Sequence, residues 1–230
     1  LRVQLMDVRF GMGGRLPAAQ QLHRLFGRHI QIEHQVRPGQ SQLVVFKIVQ
    51  PAEEGVRGAK SIVEHGHLDD VDFVIGNHIR QREGDYQIGL NTGGSLASTK
   101  LDISFAGKAA HAGAVPEKGN NAMLAAATAV LNLNAIPRTS QGVTRVNVGI
   151  LQAGSGRNVI PDRARMEVEV RGATSEANEY MEQYARRIVQ AAAEMHGCTC
   201  EVRVVGSAPS LYSDAPMNDR CLRVCTEKLG

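Results

Sequence analysis

Between Thr99 and Val205 the apolar residues switch repeatedly between a period of two and a period near 3.6, and this ordering constrains the fold more than any other feature of the chain. Leu101, Ile103 and Phe105 alternate with polar neighbours over Thr99 to Phe105, which predicts a strand with one wet face. Asn120 to Ala135 is rich in Ala and Leu, has Asn120 as a candidate cap and is stopped by Pro137, which predicts a helix. Alternation resumes over Val143 to Leu151 with Val146, Val148 and Ile150 in step, then passes through a loop, Gln152 to Pro161. It returns with Ala164, Met166, Val168 and Val170 up to Arg171. Thr174 can cap a second helix, in which Tyr180, Tyr184, Ile188, Ala191 and Met195 form a stripe and Gly197 marks the end. Thr199 to Val205 completes a βαββαβ order. That is the ferredoxin-like arrangement, four antiparallel strands with two helices on one face.

Upstream the texture differs. Leu43 to Val49 reads as a buried strand, Gly55 to His65 as a short helix and Val71 to Ile75 as a second apolar strand. Strand, helix and strand with short links predict a βαβ unit of a parallel sheet. Residues 1–42 keep neither period and are atypical of the rest. The fold class expected is therefore α/β, with a partial parallel-sheet domain and an inserted βαββαβ domain. The 26 basic and 23 acidic residues are spread without runs, which gives no electrostatic case for nucleic acid. No apolar run approaches the roughly 20 residues that cross a bilayer, and no signal layout opens the chain, so no membrane partner and a cytoplasmic setting are expected. Cys198, Cys200, Cys221 and Cys225 lack a usual zinc-ligand spacing, and plain buried thiols are expected of them.

Several residues have the chemistry of a site. Glu53 and Glu54 follow the first apolar strand within Gln50-Pro51-Ala52-Glu53-Glu54-Gly55, and His78 follows the next one. In open α/β sheets ligands gather at the carboxyl ends of strands. Adjacent acids cannot both face one metal, but one can ligate while its neighbour acts as a base on water, and an imidazole from the neighbouring strand end suits zinc. The alternative is a solvated loop with two exposed acids. His111 sits among small residues in Gly107-Lys108-Ala109-Ala110-His111-Ala112-Gly113, where either a substrate-facing or a plain turn histidine is compatible with the sequence. Gly154 to Pro161 can present Arg157 and Asn158 to an anion or serve as a long hairpin connection. It lacks the Lys-Ser/Thr that a phosphate-cradling loop needs. His65, His67 and His196 lie beside helix ends and read as structural or surface; His23, His29, Glu33 and His34 have no frame to hold them.

Three segments, Gln50 to Gly55, Gly107 to Glu117 (GKAAHAGAVPE) and Gly154 to Arg171 (GSGRNVIPDRARMEVEVR), together resemble the zinc metallopeptidase family of aminoacylases, carboxypeptidases and amidohydrolases. The resemblance covers roughly residues 43–217. It implies a catalytic α/β domain over 1–95, a lid and dimerisation domain over 96–207, and a return to the catalytic domain over 208–230. It implies hydrolysis of the amide bond of an N-acyl amino acid, or of an aryl-glutamate such as p-aminobenzoyl-glutamate. By the same resemblance Glu53 would be the general base, and Glu54 and His78 would be ligands of a divalent metal, zinc, of which the intact family holds two ions. His111 would reach across a homodimer to stabilise the tetrahedral oxyanion. Asn158 would hold substrate and Arg171 would bind its terminal carboxylate. A second hydrolase subunit is a further expected partner.

Residues 1–42 contain no Cys/His-Gly-His-Asp-x-His string, which the family places upstream of the Glu-Glu pair, and the late histidine ligand belongs beyond Gly230. An incomplete chain, inactive alone, is therefore expected, either a fragment or the product of a disrupted frame. The competing expectation is a non-catalytic dimerisation module left from a decayed hydrolase. A βαββαβ RNA-binding module is expected to carry stacking aromatics on its central strands, and Val143 to Leu151 has none.

Overall fold

The computed structural model describes residues 5–10, 30–35, 43–49, 58–69, 71–77, 90 and 94–229. The chain divides into two compact units, 1–89 and 90–230.

The first unit holds β1 (Leu5–Phe10), β2 (Ile30–Gln35), β3 (Leu43–Val49), α1 (Gly58–Glu64) and β4 (Val71–Asn77) in a sheet of order β2-β3-β1-β4. The expected strand-helix-strand succession is present in β3, α1 and β4, and these two strands run parallel to each other. They are not neighbours, however. β1 lies between them and pairs antiparallel with both, from Leu5 opposite Val49 on one side to Leu5 opposite Asn77 on the other. The described sheet is therefore antiparallel in every ladder, and the expected parallel sheet is corrected. A crossover helix fixes only the relative direction of its two strands; which strand fills the space between them is a non-local choice.

The second unit runs β5 (Ala97–Ala106), β6 (Ala110–His111), a 3-10 turn (Pro116–Lys118), α2 (Ala122–Asn134), β7 (Thr144–Ala153), β8 (Val159–Ile160), β9 (Arg163–Gly172), α3 (Ser175–Met195), β10 (Thr199–Ala208) and α4 (Ala215–Leu229). Its main sheet has the order β10-β5-β9-β7 with every ladder antiparallel, the βαββαβ topology read from periodicity. Leu101, Ile103 and Phe105 of β5 and Met166, Val168 and Val170 of β9 form the inner layer of the core. Ala122, Ala125, Ala126, Ala129 and Leu133 of α2 and Met181, Ala185, Val189, Ala192 and Ala193 of α3 cover it.

Three local expectations need correction. Asn121, not Asn120, caps α2: its side chain accepts from the amides of Met123 and Leu124. Asn120 instead bridges to Lys108 and donates its side-chain amide to the carbonyl of Gly197. On α3 the buried face is Ala177, Met181, Ala185 and Val189, whereas Ala191 and Met195 are exposed and Tyr180, Tyr184 and Ile188 are half-buried. The bulky stripe is offset by one residue, about 100° around the helix. The alanines win the inside because small side chains let α3 approach both α2 and the sheet. The tyrosines stay at the flank with polar partners, Tyr180 donating to the Pro137 carbonyl at 3.1 Å and Tyr184 stacking under the Arg187 guanidinium at 4.3 Å. Finally, a bulge at Gly149 breaks the phase of β7, so that Val148 faces Val168 but Ile150 faces Glu167 on the opposite, helix-free side.

The helix ends follow expectation more closely. Thr174 caps α3 through the Ala177 amide. Beyond α3 the amides of Gly197 and Cys198 close back on the carbonyls of Glu194 and Ala193, with Gly197 at φ 63°.

Candidate functional site

Two short strands place the first group of site residues. β6 and β8 pair antiparallel, Ala110 opposite Ile160 and His111 opposite Val159, and the Ala112 amide donates to the Asn158 carbonyl at 2.9 Å. His111 and Asn158 therefore lie side by side although 47 positions separate them in the chain. The segment that carries His111 is tied at its base: the Gly107 amide donates to Asp162 and Lys108 exchanges both backbone bonds with Asn120. Gly107 is required there, because a Cβ would stand 2.1 Å from the Asn120 carbonyl oxygen.

The His111 ring is exposed, yet its orientation is set by its own turn. Nδ1 accepts from the amides of Gly113 at 3.2 Å and Ala114 at 3.1 Å. Two donors on Nδ1 make it an acceptor, so in the neutral ring the proton resides on Nε2, which is the donor this side chain offers to a ligand. Asn158 is exposed beside it. An imidazole N–H and a carboxamide on adjoining backbone segments are both groups that hydrogen-bond a carbonyl or an oxyanion.

Arg171 stands elsewhere. It occupies the far end of β9, on the sheet face that bears no helices, opposite Ser98 of β5 and Arg145 of β7. Its Nη2 contacts both carboxylate oxygens of Glu169 at 3.0 Å, and Ser98 donates to the same Glu169 at 2.9 Å. His111 and Asn158 adjoin the opposite end, where Ala106 pairs with Arg163. The strand from Arg163 to Arg171 spans about 26 Å. Within one chain these side chains do not converge on a small ligand.

Glu53, Glu54 and His78 lie outside the described residues, as do His23 and His29. Among the described residues no three His, Cys, Asp or Glu side chains gather in a way that would hold a metal ion, so the described part alone does not fit a two-metal centre. The other histidines have local roles. His65 Nδ1 bonds the Ser61 carbonyl at 2.8 Å, the helix-end capping expected of it, and His196 bonds Thr128 at 2.9 Å. His67 is half-buried with Nε2 unpartnered, and its pKa is lowered by burial and then by the neighbouring His65. All four cysteines are free; burial pushes up the thiols of Cys198 and Cys200, the latter with help from Glu194. Ser98 and Arg145, which flank Arg171, carry no local motif. Their position depends on strand register, which periodicity alone does not supply.

Comparison with known proteins bears on the fold of the second unit. The model of the peptidase dimerisation domain matches residues 95–196. The chain is 48% identical over 165 residues to one of the subunits of p-aminobenzoyl-glutamate hydrolase from Escherichia coli, covering 72% of this chain and 38% of that protein. It is 46% identical over 167 residues to indole-3-acetyl-aspartic acid hydrolase of Enterobacter agglomerans, covering 73% and 38%. The crystal structure of an aminobenzoyl-glutamate utilization protein from Klebsiella pneumoniae superposes with a TM-score of 0.65 at 39% identity, over 80% of this chain and 47% of that one. The chain thus spans under half the length of these relatives. Residues 95–196 of the second unit thus match a peptidase dimerisation domain, and the chain is similar over that part to hydrolases that are more than twice its matched length.

Proposed function

We propose that this chain contributes to hydrolysis of the amide bond of an N-acyl amino acid or aryl-glutamate, p-aminobenzoyl-glutamate being the leading candidate. Its dimerisation domain grips the substrate. The observation that carries this reading is the β6–β8 ladder, which sets His111 and Asn158 side by side and holds the His111 ring with Nε2 as donor. In that reading His111 donates to the oxygen that becomes negative as the amide carbon turns tetrahedral, Asn158 orients the substrate and Arg171 binds its terminal carboxylate. Glu53 would take the proton of the attacking water, and Glu54 and His78 would hold a divalent ion, for which zinc suits a carboxylate and an imidazole. Such an ion, when bound, polarises the amide carbonyl.

The distance of about 26 Å between the two ends of β9 supports a homodimer. β7 is an edge strand. Antiparallel pairing of two β7 edges about a two-fold axis normal to the sheet sets the His111 end of one copy level with the Arg171 end of the other. Exposed Met123, Leu124 and Leu131 on α2, together with Leu151 on β7, supply apolar surface for that contact. A second hydrolase subunit is the alternative partner, in keeping with the name of the Escherichia coli relative, which marks it as one of several subunits. Residues 208–230 return to the catalytic domain in this reading. The four free cysteines support a reducing, cytoplasmic setting, and no described helix is long and apolar enough to cross a membrane.

A non-catalytic dimerisation module is the second reading, favoured by the confinement of the family match to 95–196. Equilibrium dialysis with zinc followed by an assay on p-aminobenzoyl-glutamate separates the two. Stoichiometric metal and turnover that falls about 100-fold in His111→Ala support the hydrolase. Neither metal nor turnover leaves the module.

A further inference from the structure

We infer that Arg145 is a specificity-determining residue that, beside Arg171, binds the side-chain carboxylate of an acidic amino acid carried by the substrate. The inference rests on the reading of Arg171 as a carboxylate binder and adds a second guanidinium to it. β7 and β9 are in register so that Arg145 lies directly opposite Arg171. Both are exposed on the helix-free face, out of phase with Val146 and Val170, which turn toward the helices. Directly opposed residues hold their Cβ atoms about 5 Å apart, and like charges in that position destabilise a sheet.

The arrangement is not relieved by neighbouring acids. Glu169 is committed to Arg171 and Ser98. Arg145 bonds the backbone carbonyl of Thr144 at 2.8 Å and forms no ion pair with a described carboxylate. Lys100, opposite Glu169 on β5, adds a third cation. Three cations thus meet one carboxylate at this end of the face. At the other end Asp102, Glu167 and Glu201 balance Arg163, Arg165 and Arg203, and ion pairs are closed: Arg165 with Glu167, and Arg203 with Asp102 at 3.0 Å. The positive excess is therefore local to Arg171. Two guanidiniums abreast fit two carboxylates joined by a short methylene chain, the shape of a conjugated glutamate or aspartate. A monocarboxylic amino acid would occupy Arg171 and leave Arg145 without an anion.

The test compares p-aminobenzoyl-glutamate with p-aminobenzoyl-glutamine, which has nearly the same shape and one negative charge fewer, by NMR titration of the intact chain. The native chain is expected to bind the glutamate conjugate about tenfold more tightly, the scale of a charge-assisted hydrogen bond. Arg145→Gln should erase that ratio and leave the glutamine conjugate's dissociation constant unchanged, and Arg145→Lys should keep part of it. Arg171→Gln should weaken both ligands. An unchanged amide spectrum in Arg145→Gln confirms an intact fold. Binding of both conjugates without discrimination, or a ratio that survives Arg145→Gln, overturns the inference while leaving the amidohydrolase reading in place. No binding of either conjugate at millimolar concentration overturns that reading, and the inference with it.

Discussion

Thr99 and Asn178 form a buried polar contact under the Arg171 end of the sheet, and its removal should show how firmly that end is anchored. The two residues are 3% and 7% exposed, and the Asn178 amide donates to the Thr99 hydroxyl at 2.8 Å. Asn178 Oδ1 has no partner. Thr99→Val keeps the side-chain shape but leaves the whole Asn178 amide unpaired. The lost bond and the stranded donor together should cost about 2 kcal/mol, because a buried group without a partner forfeits its hydration in full. For a unit of this size that lowers Tm by roughly 7 °C. Asn178→Leu should cost less, about 1 kcal/mol, since it also removes the orphaned oxygen and leaves only the Thr99 hydroxyl unpaired. The double variant should be less destabilised than the sum of the single ones by at least about 1 kcal/mol. Urea unfolding of the four proteins, followed by circular dichroism, gives the cycle. Additive effects, or a neutral Thr99→Val, would refute the claim that this hydrogen bond holds α3 to β5. The contact matters beyond stability: Thr99 adjoins Ser98, the cross-strand neighbour of Arg171, and a Cβ on Gly172 would lie 2.2 Å from the Asn178 backbone nitrogen.

Asn121→Ala removes the acceptor of two first-turn amides in α2 and should destabilise the unit by about 1 kcal/mol in urea unfolding, with Asn121→Asp restoring most of the loss. His67 titrates below its ordinary value in the folded chain because burial and His65 disfavour its charge. The unfolded chain therefore takes up the proton first as pH falls. Stability contributed by neutral His67 is full above about pH 6.5 and declines below it until the folded group also protonates. His67→Gln should flatten that decline in pH-dependent unfolding, and an unchanged profile would count against it.

The βαββαβ order was legible because its strands and α3 have a wet and a dry side that print their period into the sequence, while α2, apolar on its exposed side as well, was legible from its Ala and Leu content ahead of Pro137. Gly197 and Thr174 were legible for a different reason, since cap chemistry restricts residue type at one position. What failed depended on partners distant in sequence. The Tyr180–Met195 stripe has the same four-residue step as the true buried face, and only contact with α2 and the sheet selects Ala177, Met181, Ala185 and Val189. The Gly149 bulge shifts Ile150 to the charged face without altering its hydrophobic character. The insertion of β1 between β3 and β4 is likewise a pairing choice that no local pattern encodes. The candidate site divides the same way. His111 and Asn158 were found as motif residues, whereas their adjacency and the placement of Arg145 against Arg171 required the ladders, and the tautomer of the ring required the turn amides of Gly113 and Ala114. Glu53, Glu54 and His78 fall outside the described residues.

The distribution of these side chains makes binding and chemistry separable on the proposed dimer. Arg145 and Arg171 lie on adjacent strands of one chain, so a carboxylate-bearing ligand can be gripped by a single copy. His111 is about 26 Å away along the sheet and, on that proposal, would reach the ligand only from a second copy. The strand that supplies Arg145 is also the open edge through which two copies would join, and its bulge at Gly149 lies between those functions, with Arg145 before it and Leu151 after it. Damage to the edge beyond the bulge would therefore remove the oxyanion donor while sparing the carboxylate grip. A change at Arg145 would alter which amino acid is held without touching the donor. On this proposal a dimerisation domain would be part of an active site: two half-sites would lie at opposite ends of one sheet, and antiparallel association would bring unlike ends together.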